Sequence, residues 1–331
     1  MHPTAAGPTP RNAAATTTQT PIITLTLNPA LDLSSEVPAL LPDTKLRCTE
    51  PLLDPGGGGL NVSRAIAALH GESLALVALG GLTGDRLAGL IRAEGVPFLA
   101  LTAPGETRQS LTVTDQSSGR QYRFMLPGPV WSEADQARVF TLLRASARPG
   151  AYGVISGSQP PGVPVDFPER LARAMPGLHI VLDTSGPALH QAVSHPIPNL
   201  AILRMDDAEA ETLAGASLNT RSDTADFAQS LVQRGVAQTI VIARGADGSV
   251  LVDPSRRIFA KAARVKVKST VGAGDSFVGA LVLSLARGNP PESALALASA
   301  AASAAVTTDA TQLCKLADVM RLLPECLISQ V

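Results

Sequence analysis

Residues 55–81 read PGGGGLNVSRAIAALHGESLALVALGG, and the order of patterns in this stretch decides the fold class. After the glycines, Val62, Ala65, Ile66 and Leu69 fall at i, i+3, i+4 and i+7, the spacing of one apolar helix face. Gly71 follows where such a helix is expected to stop. Next comes SLALVALGG from Ser73, a short and nearly continuous apolar run. A run of that kind suits a strand buried on both faces. It recurs as IITLTL from Ile22, YGVISGS from Tyr152, LHIVLD from Leu178, LAILRMD from Leu200 and QTIVIARG from Gln238, with helical patterns between. Strand alternating with helix predicts an α/β fold with a mainly parallel central sheet and helices on both faces.

Two stretches break the rhythm, at about 31–55 and 107–128. The second contains SLTVTDQSSGRQYRFMLPG from Ser110, which reads as a β-hairpin turning at Ser117–Arg120. Both are expected to project from the main sheet as a small β-rich lid. Residues 1–20, MHPTAAGPTPRNAAATTTQT, lack the apolar stretch of a signal peptide and are expected to form a disordered tail ahead of one domain over 21–331.

Composition narrows the function. Of the 331 residues 45% are apolar, which supports a large core, whereas only 3% are aromatic, too few for base stacking as a main activity. The formal net charge is -1 and Lys and Arg form no block, so a nucleic-acid partner is not expected. No apolar segment reaches twenty residues uninterrupted, so no membrane span is expected. Three cysteines (Cys48, Cys314, Cys326) and five histidines show no metal-ligand spacing, and the odd cysteine count fits a reducing cytoplasm.

The strongest chemical signal is Val271-Gly272-Ala273-Gly274-Asp275-Ser276-Phe277, followed by the apolar helical run Val278 to Ala286. Glycines ahead of a helix leave backbone N–H groups bare, and the helix dipole adds partial positive charge there. Phosphate oxygens are the natural guest, and Asp275 is placed to take the proton of an attacking hydroxyl. Asp275 reads equally well as an acidic first-turn residue favoured by the dipole. The second signal is Pro55-Gly56-Gly57-Gly58-Gly59-Leu60-Asn61. Four glycines are costly to order and make most sense where backbone touches a ligand, with Asn61 offering its amide to sugar hydroxyls. Neither GxxxxGK[ST] nor a GxGxxG after the first strand is present, so P-loop and Rossmann nucleotide sites are not expected.

An early glycine loop and a late GAGDS on an α/β background resemble the two signatures of the ribokinase-like (phosphofructokinase B) family of carbohydrate kinases. The resemblance spans nearly all of the chain from Ile22 onward and implies a ribokinase-like three-layer sandwich with a small β-rich lid. Lys45-Leu46-Arg47-Cys48-Thr49, PGGGGLNVSRAIAAL, Gln121-Tyr122-Arg123-Phe124, ISGSQPPGV and Thr311-Gln312-Leu313-Cys314 resemble the minor-isozyme type of bacterial 6-phosphofructokinase. GGGG stands where related sugar-1-phosphate and tagatose-phosphate kinases usually have GGKG, which favours fructose 6-phosphate as acceptor.

The resemblance implies roles by position. Asp275 corresponds to the catalytic base and Gly272, Ala273 and Gly274 to the anion hole. Asp32 (in NPALD), Gly57, Gly58 and Asn61 correspond to the sugar site, with Lys45 and Arg108 contacting the substrate phosphate or the closing lid. Arg204, Asp206, Gly245 and Gly274 fall to ATP, Glu209 to Mg²⁺ through water, and Mg²⁺ is the expected cofactor with ATP. A homodimer through the lid is also implied.

Two positions depart from the family. Arg204-Met205-Asp206-Asp207-Ala208-Glu209 stands for Lys-Pro-Asn-x-x-Glu, and Ala243-Arg244-Gly245 for Ser-x-Gly. Altered ATP affinity and metal dependence are expected from them. Fructose-1-phosphate or tagatose-6-phosphate kinase is the alternative within the class. A sugar-phosphate sensor without turnover is the alternative outside it. Lys45, Arg47, Arg108 and Arg123 supply more cations than an uncharged nucleoside needs.

Overall fold

The computed structural model describes residues 19–309 and 311–331. Its strands are β1 (Ile22–Thr26), β2 (Ala30–Val37), β3 (Leu52–Gly56), β4 (Leu74–Leu79), β5 (Phe98–Thr102), β6 (Arg108–Asp115) and β7 (Arg120–Met125) in the first half. The second half adds β8 (Tyr152–Ser156), β9 (His179–Asp183), β10 (Leu200–Asp206), β11 (Thr239–Ala243), β12 (Gly248–Asp253), β13 (Arg256–Lys261) and β14 (Ile328–Gln330). Ten of them form one sheet in the order β14-β13-β12-β11-β10-β9-β8-β1-β4-β5. From β11 to β5 every pairing is parallel, while β12, β13 and β14 add an antiparallel edge.

Side-chain alternation explains why both faces of this sheet are apolar. On β1, Ile23 and Leu25 join the core formed with the helices around Leu143, Phe167 and Leu189, while Ile22 joins the opposite core. That second core is filled by Val62 and Ile66 of the Gly58–Ala68 helix and by Phe277, Leu281 and Val282 of the Ala273–Ala286 helix. These two helices cross closely. A Cβ on Gly279 would stand 2.9 Å from the Ala65 Cβ and 3.0 Å from the Val62 carbonyl oxygen.

The six runs predicted as buried strands all lie in the large sheet. The Gly58–Ala68 helix begins inside the glycine run, and its end differs from expectation. Leu69 is the C-cap and His70, not Gly71, takes the left-handed conformation, at φ 55°. Gly71 answers a different need: a Cβ there would fall 2.4 Å from a Leu283 methyl.

The remaining four strands form a separate sheet in the order β3-β2-β6-β7. It springs from the carboxyl end of β1 through Leu27–Pro29, and β6 and β7 form the hairpin read from Ser110. Of the expected tail, residues 1–18 lie outside the described residues. Gln19 and Thr20 are tied down: Gln19 Nε2 donates to the Glu72 carbonyl (2.6 Å) and the Thr20 N–H to that of Ala286 (2.8 Å).

Candidate active site

Parallel strands in an open α/β sheet point their carboxyl ends at one edge, and ligands bind in the crevice there. Here that edge carries Thr26 of β1, Ser156 of β8, Asp183 of β9, Arg204 and Asp206 of β10 and Ala243 of β11. Two cavities open along it, and the N-terminus of the Ala273–Ala286 helix stands between them. A cavity of about 320 Å³ is lined by Gly272 and Asp275 together with Asp32, Gly57, Gly58, Asn61, Arg108 and Arg123. A cavity of about 610 Å³ is lined by Ala273 and Gly274 together with Arg204, Asp206, Asp207, Gly245 and Ser299.

Gly272 is the N-cap of that helix in the left-handed region (φ 73°), a conformation glycine adopts without penalty. The first intrahelical bond runs from the Ser276 N–H to the Gly272 carbonyl (2.9 Å). The helix therefore leaves the N–H groups of Ala273, Gly274 and Asp275 unused, at the positive end of its dipole. Asp275, in the first turn, accepts a hydrogen bond from Asn61 Nδ2 at 2.9 Å. Burial, and then the nearby Asp183 carboxylate, push its carboxyl up to about 7, with the Asn61 bond and the Arg204 and Arg64 charges pulling the other way. A buried carboxyl near 7 is the property a general base working at neutral pH requires.

At the small-sheet end of the first cavity, strand register brings Asp32 opposite Ser110, and Ser110 opposite Met125. Asp32 packs so tightly that a Cβ on Gly56 would lie 2.3 Å from its Oδ2. Burial raises its carboxyl to about 6 despite the Arg108, Arg64 and Arg123 charges. Arg108 donates through Nε to the Asn28 carbonyl (3.2 Å) and faces the cavity beside Arg123. Two guanidinium groups at one end and a base at the other suit an anionic molecule with a reactive hydroxyl.

The glycine run serves the chain's own close approaches as much as a ligand. A Cβ on Gly59 would lie 2.4 Å from the Leu25 carbonyl oxygen, and one on Gly58 2.5 Å from Ser156 Oγ. Gly57 (φ 118°) and Gly58 line the smaller cavity.

In the larger cavity Arg204 Nη1 pairs with Asp183 Oδ1 at 3.2 Å, and its guanidinium lies over Gly274. Asp206 is the N-cap of the Asp207–Ala214 helix and forms a reciprocal capping box with Glu209, at 2.8 and 2.9 Å. The first added carboxylate is thus accounted for by helix capping. Arg244 is also structural, donating to the Leu218 and Asn219 carbonyls and to Asp247. Among the described residues no group of three or more His, Cys, Asp and Glu side chains is disposed to hold a metal ion. The donor set fits a cation that arrives on nucleotide phosphates, as Mg²⁺ commonly does. Glu209 is held in the capping box through Oε2 and, unlike Asp206 and Asp207, lines neither cavity.

Lys45 is placed elsewhere. It sits exposed on the 38–51 connection between β2 and β3, a segment tied back to β2 at Thr49 (Thr49 N–H to the Glu36 carbonyl, 2.9 Å), and lines neither cavity of this chain. Asp183, Arg64 and the Ser156–Ser158 turn sit beside the site, and the sequence singles out none of them for a role: Arg64 and Ser156–Ser158 lie inside the motifs PGGGGLNVSRAIAAL and ISGSQPPGV, and Asp183 lies in none. Ser156 Oγ donates to Asp183 Oδ2 at 3.1 Å, a contact between strands 27 residues apart with no local signature. The one sequence signal for Asp183 is a strand-like run ending in Asp.

A helix N-terminus with free N–H groups beside a buried carboxyl, at the carboxyl edge of a parallel sheet, is an arrangement suited to phosphoryl transfer. Residues 20–318 match the pfkB family of carbohydrate kinases, and the chain belongs to it. Among its relatives, ATP-dependent 6-phosphofructokinase isozyme 2 of Escherichia coli is 39% identical over 303 residues, covering 91% of this chain and 97% of the relative. The crystal structure of Escherichia coli phosphofructokinase-2 in complex with fructose-6-phosphate matches with a TM-score of 0.86 at 37% identity, covering 93% of this chain and 99% of that one. A 1-phosphofructokinase of Xanthomonas campestris is 30% identical over 266 residues, covering 80% of this chain and 83% of the relative. Among the described residues no helix is long and apolar enough to cross a membrane.

Proposed function

We propose that this chain transfers the γ-phosphoryl group of ATP to the 1-hydroxyl of fructose 6-phosphate, giving fructose 1,6-bisphosphate and ADP in cytoplasmic glycolysis. The observation that carries the reading is one helix N-terminus dividing two cavities, with Asp275 facing the smaller and Gly274 the larger. Arg108 and Arg123 take the 6-phosphate, a near-dianion that needs cations. Asp32 and Asn61 accept and donate hydrogen bonds to the sugar hydroxyls and turn the 1-hydroxyl toward Asp275. Asp275 then accepts that hydroxyl proton as the bond from O1 to the γ-phosphorus forms and the bond from the γ-phosphorus to the leaving oxygen of ADP breaks. The N–H groups of Ala273 and Gly274 and the Arg204 guanidinium hold the charge that builds on the phosphoryl oxygens. Mg²⁺ carried on ATP supplies further charge neutralisation when bound. The higher identity to a 6-phosphofructokinase than to a 1-phosphofructokinase supports fructose 6-phosphate as acceptor.

The small sheet acts as a lid that excludes water, and it supports a homodimer. Every residue of its edge strand β7 is exposed, and Tyr122, Phe124 and Met125, with the adjoining Leu126, place large apolar side chains there. An apolar open edge of this kind calls for a covering partner. A second subunit on this face is also where the displaced Lys45 finds a use.

ADP release with Mg·ATP and, separately, fructose 6-phosphate, fructose 1-phosphate or tagatose 6-phosphate tests the reading, with Asp275→Asn as control. Turnover on fructose 6-phosphate that the substitution abolishes is expected. Turnover on another sugar alone moves the acceptor and keeps the base. Sugar-phosphate binding without ADP release, in folded protein, makes the chain a sensor.

A further inference from the structure

Arg64 lies outside both cavities, yet it is among the most heavily bonded side chains near them. Its Nε and Nη2 clamp the two carboxylate oxygens of Glu94 at 2.6 Å each. Its Nη1 donates to the Pro55 carbonyl at 2.7 Å and to Asn61 Oδ1 at 3.0 Å. Asn61 in turn donates from Nδ2 to Asp275 Oδ2 at 2.9 Å. The run Glu94–Arg64–Asn61–Asp275 is continuous, and it joins three elements: the Gly81–Ala93 helix with its C-cap Glu94, the glycine-loop helix, and the helix that carries the base.

Its chemistry is directional. A guanidinium has donors only, so the group Asn61 turns toward Arg64 must be its carbonyl oxygen. The NH₂ of Asn61 then has to face Asp275. Without Arg64 the amide is free to rotate by half a turn and present its oxygen to the carboxyl, an arrangement that favours the protonated acid. We infer that Arg64 is a positioning residue for phosphoryl transfer: by fixing the Asn61 amide, it holds Asp275 Oδ2 as an acceptor and leaves Oδ1 to receive the hydroxyl proton. The inference rests on Asp275 being the base.

Other charges bear on Asp275, so the effect must be separated from them. Asp183 on β9 raises its carboxyl; Arg204 on β10 and the Arg64 charge itself lower it. Asp32 on β2 shares the same cavity and also feels Arg64. An effect that runs through Asn61 vanishes when Asn61 is removed, whereas a through-space effect of the Arg64 charge on either carboxyl persists.

The test is the pH profile of kcat, at saturating Mg·ATP and fructose 6-phosphate, for Arg64→Met, Arg64→Lys, Asn61→Ala and the two double variants. Loss of one hydrogen bond to a charged group moves the acid limb of Arg64→Met up by about one to two pH units. Its deficit against wild type is therefore largest below neutrality and shrinks toward about pH 9. Arg64→Lys keeps the charge, but one nitrogen cannot span Glu94, Pro55 and Asn61 together, so its limb moves up by less. The lysine variant carries the test if the methionine variant does not fold. In the Asn61→Ala background Arg64→Lys, which keeps the charge, moves the limb no further, and Arg64→Met moves it only by the smaller through-space share of the lost charge. A loss equal at every pH, or a shift by Arg64→Lys or an undiminished shift by Arg64→Met in the Asn61→Ala background, overturns the inference. Turnover retained by Asp275→Asn would instead overturn the assignment of the base, so the two failures are told apart.

Discussion

Replacing Asp275 with asparagine should make the protein more stable while it abolishes turnover. Burial lifts this carboxyl from the ordinary 3.8 to about 7, so above neutral pH the folded state holds a buried negative charge that the unfolded chain carries in water. A gap of about 3 pH units at about 1.4 kcal/mol each sets a ceiling of about 4 kcal/mol on that penalty. The substituted amide would keep the bond from Asn61 but bring an NH₂ of its own to satisfy, which offsets about 1–2 kcal/mol. The net gain is then about 2–3 kcal/mol, or about 3–4 °C in Tm for a chain of this size.

The sign follows from proton counting. Between about pH 4 and 7 the folded wild type holds a proton that the unfolded chain has released, so wild-type stability falls as pH rises through that window. Asparagine does not titrate. The Tm difference between variant and wild type should be full at about pH 8, smaller by about pH 6 and nearly gone by about pH 4.5. Thermal unfolding of both proteins across that range measures it. Equal Tm values at the alkaline end, or a difference that does not shrink toward the acid end, would refute the reasoning.

Arg204→Met should weaken ATP binding about 10- to 100-fold in calorimetric titration, the worth of one charge-assisted contact to phosphate, while fructose 6-phosphate affinity changes little. Gly59→Ala should destabilise by about 2–4 kcal/mol in urea, because its Cβ would press on backbone at 2.4 Å. Gly89→Ala, with nothing within 4 Å of its Cβ, should stabilise by about 0.5–1 kcal/mol. Phe124→Lys combined with Leu126→Lys should convert a dimer to monomer in analytical ultracentrifugation.

The large sheet is legible in the sequence because burial on both faces writes strands such as IVLD and IVIA as unbroken apolar runs. Its edges are not. On β5 (FLALT) Leu99, Ala100 and Thr102 are exposed and only Leu101 is buried, so the run carries no clear period. The three residues of β14 are held by pairing with β13 and show no pattern of their own. β12 and β13, SVLVD and RRIFA around an Asp-Pro-Ser turn, do have a hairpin signature, but as an antiparallel pair they fall outside the strand–helix alternation that reveals the rest. In the site, GAGD and the glycine loop are visible through local backbone needs. Asp183 and Arg64 owe their places to partners far along the chain or on another element, and no local rule marks them. Lys45 is close to the site residues in sequence and lies apart from them in space.

The crossing at Gly279 bears on how such a site can change. Gly279 and Ala65 each lie four residues, about one helical turn, beyond Asp275 and Asn61. The point where the two helices touch is therefore a fulcrum one turn below the hydrogen bond that joins amide and base. A methyl group added there meets no ligand and lines neither cavity, yet it spreads the jaws that hold the base to the sugar shelf. Tuning of this enzyme, by selection or in the laboratory, has a handle inside the hydrophobic core that no inspection of the cavity walls would reveal.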